Sequence, residues 1–279
     1  ENNNLKIFMA IIKFKILPLQ KQNIMNANSF SNYLKSSPVP LIGSHRGITD
    51  SLKKHKENTI ESIFSHQNNK AHYAEFDLMC TKDNHLILFH DESIGSSLIE
   101  KTDFKTLLKL KPNLITLNEL ILTNTAQEKP LLLNIELKSY LLSDHQKKQF
   151  IEILLAELKT FNLTNKVLIS SFDQDLLKFI SKINSDCLLA LLFEKSENFK
   201  INQNLLPHLT ALCPHFNAIQ DAQLYKLPNF IWETGSESHI FKKTQTLPST
   251  SSFFNWIKSM NIYGLTTNHV SEINSIINP

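Results

Sequence analysis

The chain has 279 residues, of which 42% are hydrophobic and 20% charged, and a net charge of +3. Such a composition excludes a disordered or collagen-like polypeptide, and the length is close to the roughly 250 residues of a single (β/α)8 barrel. The lysines are spread without the basic stripe of a nucleic-acid binder, so no nucleic-acid partner is expected, and the three cysteines, Cys80, Cys187 and Cys213, are too scattered for a disulfide framework. A reducing, cytoplasmic setting fits them best.

Taken in chain order, residues 1–38 read as a loosely ordered, Asn-rich extension ending in Ser36-Ser37-Pro38. The apolar run at 7–12 is cut by Lys13 and Lys15. It falls short of the ~20 apolar residues of a membrane span, and no signal-peptide cleavage site follows, so stable membrane insertion is not expected. The domain proper is expected over 39–279. A first strand at 39–44 leads to a helix at 58–66, with Asn58 or Thr59 as its N-cap. Strands follow at 73–79 and 86–89 around the turn Lys82-Asp83-Asn84, then helices at 104–110 and 117–122.

Pro130 opens a buried strand at 131–137. The next segment, 144–160, is a long amphipathic helix with Phe150, Ile151, Leu154, Leu155 and Leu158 on one face. Beyond it lie a strand at 167–170, a helix at 175–183, a strand at 188–193 and a helical turn near Leu205. Short strands near Ala211 and Phe230, a helix at 253–260, a strand at 262–265 and a small helix ending at Ile277 complete the series. Strands alternating with helices of this length form parallel β-α-β units with right-handed crossovers, and about eight of them close into a single-domain α/β (β/α)8 TIM barrel.

The chain has no G-x-G-x-x-G, no phosphate-binding glycine loop, no H-E-x-x-H and no G-x-S-x-G, which removes support for the corresponding enzyme classes. Its polar residues collect instead at strand ends, where a (β/α) barrel carries its chemistry. The first strand ends in Ser44-His45-Arg46-Gly47, the second contains Glu75-Phe76-Asp77, another ends in His90-Asp91, and the central one in Glu136-Leu137-Lys138. Positions i and i+2 of a strand share a face, so Glu75 points with Asp77, and Glu136 with Lys138. Three carboxylates from two strands make an oxygen cage for a hard divalent cation, Mg2+ or Ca2+, which would relieve their mutual repulsion and act as a Lewis acid on a phosphoryl oxygen. Arg46 and Lys138 would add positive charge toward the same phosphate. His45 and His90 could donate and accept protons across the scissile bond.

In these motifs the chain resembles the glycerophosphodiester phosphodiesterase family. The resemblance rests on His45-Arg46-Gly47, Glu57-Asn58-Thr59, Glu75-Phe76-Asp77, Thr81-Lys82-Asp83, His90-Asp91 and Asn134-Ile135-Glu136-Leu137-Lys138, with Ser170-Ser171-Phe172 further on. It implies Glu75, Asp77 and Glu136 as metal ligands, His45 and His90 as the catalytic pair, and Arg46 and Lys138 as phosphate contacts. It also implies hydrolysis of a small-molecule glycerophosphodiester to glycerol 3-phosphate and an alcohol. The last third departs from the family pattern: Trp232 is followed by Glu233 instead of Thr, and Thr267 by Asn268 instead of Asp.

Trp232 is expected as an aromatic wall for the glyceryl group in preference to a packing residue, Glu57 either as a helix-dipole or capping contact or as a neighbour completing the site, Asp83 as a turn residue and Asp91 as an orienting group. His55, His66, His72, His85 and His145 read as solvated, and the cysteines as small apolar residues. Two alternatives stand beside the main reading. One is a lysophospholipid or phospholipase-D-like phosphodiesterase on the same barrel, which calls for an apolar surface beside the site. The other is a non-catalytic phosphate-ligand-binding barrel.

Overall fold

The computed structural model describes residues 29–36, 40–48, 56–65, 70–195, 199–234 and 237–277. The apolar run at 7–12, Val39, His55 and His66 lie outside the described residues. Eight parallel strands run in chain order around a closed ring: β1 Leu41–Ser44, β2 Tyr73–Cys80, β3 Leu132–Leu137, β4 Leu168–Ser171, β5 Leu188–Phe193, β6 Ala211–Pro214, β7 Asn229–Trp232 and β8 Ile262–Thr267. The ring closes where β1 pairs with β8 on one side (Ser44↔Thr267) and β2 on the other (Ser44↔Ala74). This is the TIM barrel expected from the sequence. Among the described residues no helix is long and apolar enough to cross a membrane.

The period-2 alternation of each strand separates two cores. Outward-facing Phe76, Leu78, Leu133, Ile135, Ile169 and Leu191 pack under the helices, among them Asp144–Thr160, which buries Phe150, Ile151, Leu154 and Leu158. Full burial of each such side chain contributes about 1.5–3 kcal/mol. The inward positions are apolar low in the barrel, where Leu41, Tyr73, Leu132 and Leu168 meet, and become polar higher up. Stepping by two along β2 gives Tyr73, Glu75, Asp77, and along β3 Leu132, Asn134, Glu136. The same periodicity that builds the floor thus delivers the carboxylates to the C-terminal rim.

The short strand Leu86–Leu88, expected within the alternating series, lies outside the ring and runs antiparallel to β2. It belongs to an insertion between β2 and β3 with its own small core of Met79, Ile87, Ile94, Ile99, Leu107 and Leu114. Two further helices, Ile219–Ala222 and His239–Gln245, were not foreseen. His72 lies on the surface, yet its Nδ1 accepts the Ile42 N–H at 3.0 Å, so it is more than a solvated loop residue.

The stretch expected as a loose extension contains a packed helix, Phe30–Ser36. Phe30 is completely buried at the N-terminal end of the ring, edge-on to Tyr73 and Phe230 at 5.6 Å each. The Tyr33 hydroxyl donates to the Tyr263 carbonyl at 3.2 Å. Room for the aromatic plug comes from Gly43 and Gly264, where a Cβ would lie 2.1 Å from the Tyr73 and Phe230 rings respectively. Phe30, Tyr33 and Leu34 fall at i, i+3 and i+4 and all face the barrel floor, but three apolar positions in seven residues are too short a stripe to announce the helix among its Asn- and Ser-rich surroundings.

Candidate active site

At the end of β1 the chain turns sharply through Arg46 (φ 53°) and Gly47 (φ 78°), closed by a bond from the Ile48 N–H to the His45 carbonyl at 2.8 Å. A non-glycine residue in the left-handed region carries about 1–3 kcal/mol of strain, and such strain concentrates at functional sites. Here the turn aims the Arg46 N–H at Glu75 Oε2, 2.9 Å away. Asn58, also left-handed at φ 56°, sits just before the Thr59 cap of helix Ile60–Ile63. Its amide clasps Asp77 twice: Nδ2 donates to Oδ2 at 2.9 Å, and Oδ1 accepts the Asp77 N–H at 3.1 Å.

Register places Asp77 beside Glu136 and Glu75 beside Asn134. As a result one oxygen from each of Glu75, Asp77 and Glu136 lies within 4.8 Å of the others, all three side chains being buried. Two cations balance them. Lys138 Nζ is 3.0 Å from Asp77 Oδ1 and also bonds Glu136, while Arg46 Nε is 3.2 Å from Asp77 Oδ2 and its Nη1 is 3.1 Å from Glu57 Oε2. Arg46 and Lys138, expected to face a phosphate, are therefore held among the carboxylates, with Glu57 as a second support for Arg46.

Burial, reinforced by Asp77 and Glu136, drives the Glu75 carboxyl well above the usual range. Glu136 is pushed up to about 7 by burial and by Asp77, against the pull of Lys138. For Asp77, burial acts upward too, but Lys138 and Arg46 outweigh it and hold the carboxyl below its ordinary value. Glu75 Oε1 is buried without a hydrogen-bond partner among the described residues. An all-oxygen donor set with an unsatisfied buried lone pair fits a hard divalent cation. Among the described residues this is the one such cluster of acidic, His or Cys side chains.

A cavity of about 420 Å³ opens over this cluster. His45, Arg46, Glu75, His90, Glu136, Lys138 and Trp232 line it, and Asp77 lies beneath, held by Asn58, Arg46 and Lys138. All eight residues singled out in the sequence thus converge at one end of the barrel. His90 Nδ1 is 2.8 Å from Asp91 Oδ1, the orienting contact expected of that carboxylate. His45 is buried, with Nδ1 2.9 Å from Asn268 Oδ1; burial and Arg46 lower its pKa to about 4.

The Trp232 ring stands edge-on to Phe172 at 5.9 Å and to His215 at 4.7 Å, and its Nε1 donates to the Cys213 carbonyl at 3.0 Å. Phe172, Tyr140, Glu194 and Cys213 join it in the wall. The expectation of Cys80, Cys187 and Cys213 as apolar residues agrees with their position: the last two are buried and Cys80 partly so.

Sequence reasoning missed three residues. Asn58 was read as a possible cap, although its main contacts go to Asp77. Asn134 lines the cavity and accepts from Ser170 Oγ at 3.0 Å, while Asn268 meets His45. The i, i+2 rule along β3, which found Glu136, also points Asn134 inward; Asn268 stands out in the sequence as a departure from the family pattern, but nothing local ties it to His45.

Comparison with known proteins gives a consistent picture. The sequence profile of the Glycerophosphoryl diester phosphodiesterase family matches residues 45–211, more than half of the chain. A glycerophosphodiester phosphodiesterase of Caldanaerobacter subterraneus is 29% identical over 173 residues, covering 55% of this chain and 67% of that protein. A glycerophosphocholine phosphodiesterase of Candida albicans is 30% identical over 138 residues, or 47% of this chain but only 11% of that much longer protein. Among solved structures, a glycerophosphodiester phosphodiesterase from Parabacteroides distasonis superposes with a TM-score of 0.67 at 19% identity, covering 87% of this chain and 98% of that one. An Oleispira antarctica phosphodiesterase, solved with the product sn-glycerol-3-phosphate, gives 0.62 at 18% identity over 86% of this chain and 98% of that one.

Proposed function

The chain belongs to the glycerophosphoryl diester phosphodiesterase family, and from that premise we propose that it hydrolyses glycerophosphodiesters to glycerol 3-phosphate and an alcohol. The observation that carries this reading is the meeting of a cluster of three buried carboxylates with two histidines at one cavity, which Glu75, Glu136, His45 and His90 line. A divalent cation, Mg2+ or Ca2+, held by Glu75, Asp77 and Glu136 would supply a Lewis acid for a phosphoryl oxygen. Arg46 and Lys138, already committed to these carboxylates, bring the positive charge that a phosphate diester needs on entry. His45 and His90 move the protons, one from the attacking hydroxyl and one to the departing alkoxide. Trp232 and Phe172 offer an aromatic wall to the organic part of the substrate. The unpaired cysteines support a reducing, cytoplasmic compartment.

The test is a product assay against a panel of glycerophosphodiesters, with and without chelator. We expect turnover that disappears with chelator and returns with Mg2+ or Ca2+. His45→Ala and Glu136→Ala should each abolish most of it; near-normal turnover in both would refute the assignment. Tight binding without turnover, metal supplied, would instead establish a ligand-binding barrel.

One observation favours a second reading in which the substrate carries an acyl chain. Tyr140 and Phe172, both lining the cavity, are 51% and 44% exposed, and Leu141, next to Tyr140 in the chain, is 49% exposed. An apolar rim of this kind suits a lysophospholipid. It predicts faster turnover of micellar lysophospholipids than of water-soluble glycerophosphodiesters at equal concentration.

A further inference from the structure

The end of β7 carries a buried carboxylate that takes no part in the cation site. Glu233 is 1% exposed. Its Oε1 accepts from Ser238 Oγ at 2.6 Å and from Thr267 Oγ1 at 2.5 Å, and its Oε2 accepts the Ile240 N–H at 3.0 Å. Hydrogen bonds are what make a buried carboxylate tolerable, and here the donors belong to two other segments. Ser238 and Ile240 stand at the start of helix His239–Gln245, and Thr267 ends β8. Next to these anchors lie residues of the cavity. Trp232 and Thr234 flank Glu233 in the chain, Thr266 precedes Thr267, and all three line the cavity. Strand alternation explains the arrangement: Trp232 and Thr266 sit opposite each other in register facing in, so Glu233 and Thr267 point away from the cavity.

We propose that Glu233 is a positioning residue that clamps the end of β7 to the end of β8 and to the start of helix His239–Gln245, and so fixes Trp232, Thr234 and Thr266 as one rigid face against the organic part of the substrate. The inference rests on the hydrolase reading above and deepens it. Two further bonds complete the clamp. The Glu233 N–H donates to the Thr266 carbonyl at 3.1 Å, and Trp232 Nε1 donates to the Cys213 carbonyl at 3.0 Å. The indole is thus held at its ring by β6 and at its backbone by β8. The groups of the phosphate end are anchored elsewhere: Glu75, Asp77, Glu136, Arg46 and Lys138 stand on or beside β1, β2 and β3. The His45 N–H meets the Thr267 carbonyl, but β1 holds that backbone through its own register, Ser44↔Thr267, without the Thr267 side chain. Loss of the clamp therefore weakens substrate binding and leaves the chemical step in place.

Glu233→Leu and Glu233→Gln separate the clamp from mere bulk. Leucine meets none of the three donors. Glutamine can meet them all, its carbonyl accepting the Ile240 N–H while its amide donates to the two hydroxyls, which rotate to accept. We expect Glu233→Leu to raise KM for glycerophosphodiesters by about tenfold with kcat within about twofold of wild type, and Glu233→Gln to recover KM to within about threefold. A second readout needs no turnover. In a Trp256→Phe background Trp232 is the remaining one of the chain's two tryptophans. Its emission should shift to the red and its quenching by acrylamide should increase in Glu233→Leu, and neither should change in Glu233→Gln. If Glu233→Leu does not fold, the isosteric Thr267→Val removes one of the three bonds and should show the same split at about threefold in KM. Unchanged KM and quenching in the folded variants would overturn the proposal, and so would a fall in kcat with KM unchanged. Wild-type protein that cleaves no diester would sink the hydrolase reading instead, and the quenching comparison would still decide whether Glu233 holds Trp232.

Discussion

Glu136→Gln probes the proposed cation site most directly, because it removes one carboxylate while keeping the side chain's size. Without metal the change has two opposing parts. It relieves repulsion with Asp77, which together with burial pushes Glu136 up to about 7, and it weakens the partnership with Lys138. Net stability should therefore shift little. With metal the two proteins diverge. A ligand at about 100 times its Kd stabilises the native state by about 2.7 kcal/mol, and at about 2–4 °C per kcal/mol for a domain of this size the wild-type Tm should rise by roughly 5–11 °C. Glu136→Gln should lose most of that rise.

The pH dependence has a definite sign. The folded pKa of Glu136 lies above its ordinary value of 4.5, so the native state binds more protons than the unfolded chain between about 4.5 and about 7. The metal-free protein should then lose stability as pH rises through that window, and Glu75 extends the trend. Protons compete with the cation, so the metal-induced gain should shrink from pH 8 to pH 6. Thermal melts with EDTA, Mg2+ and Ca2+ at several pH values read all of this. A wild-type Tm indifferent to cation, or an equal gain in Glu136→Gln, would refute the triad as a metal site.

Asn58→Ala removes both bonds that fix Asp77 and should weaken metal affinity by about 10–100-fold, measured by isothermal titration, with little change in the far-UV circular dichroism spectrum. Phe30→Ala should destabilise the fold by about 3–5 kcal/mol, read from urea denaturation, because rings framed by Gly43 and Gly264 cannot easily collapse into the space. Asp173 caps helix Gln174–Ile183 through the Asp175 and Leu176 N–H groups and pairs with Lys147 at 2.5 Å. Asp173→Ala should therefore lower stability by about 1–2 kcal/mol. Burial pulls the Asp173 carboxyl upward, but Lys147, the capped Leu176 N–H and Ser139 hold it below 3.8, so its contribution is full above about pH 4 and fades as pH falls further. The wild-type and variant curves should converge in acid; a constant gap would contradict the ion pair.

Much of the barrel was legible because buried strands such as Leu132–Leu137 and Leu188–Phe193 are short apolar runs, and helices such as Asp144–Thr160 carry a 3.6-residue stripe. The carboxylates were legible for a related reason: a charged residue inside an apolar run has little purpose except at a site. The Leu86–Leu88 strand misled because a local pattern cannot tell a barrel strand from one laid antiparallel against its neighbour. Helix His239–Gln245 escaped notice since its apolar anchorage is only Ile240 and Phe241, too short for a periodic stripe, and its start is held by Glu233, whose carboxylate accepts from the Ile240 N–H at 3.0 Å and from Ser238 Oγ at 2.6 Å. Asn58 and Asn268 show the general limit. An amide becomes meaningful only through its partner, and Asp77 and His45 are 19 and 223 positions away.

Phe30 touches no reacting group, yet Phe230, the ring it supports, is part of the cavity lining, and so is Thr266, which meets the Tyr73 hydroxyl at 2.6 Å. The depth of the catalytic chamber is thus set partly from beneath, by a side chain that enters from outside the ring. The family match begins at residue 45 and ends at 211, leaving out this wedge, strands β1, β7 and β8, and all but the first residue of β6. A fragment cut to those limits would keep every carboxylate and both histidines while losing the foundation on which their chamber stands.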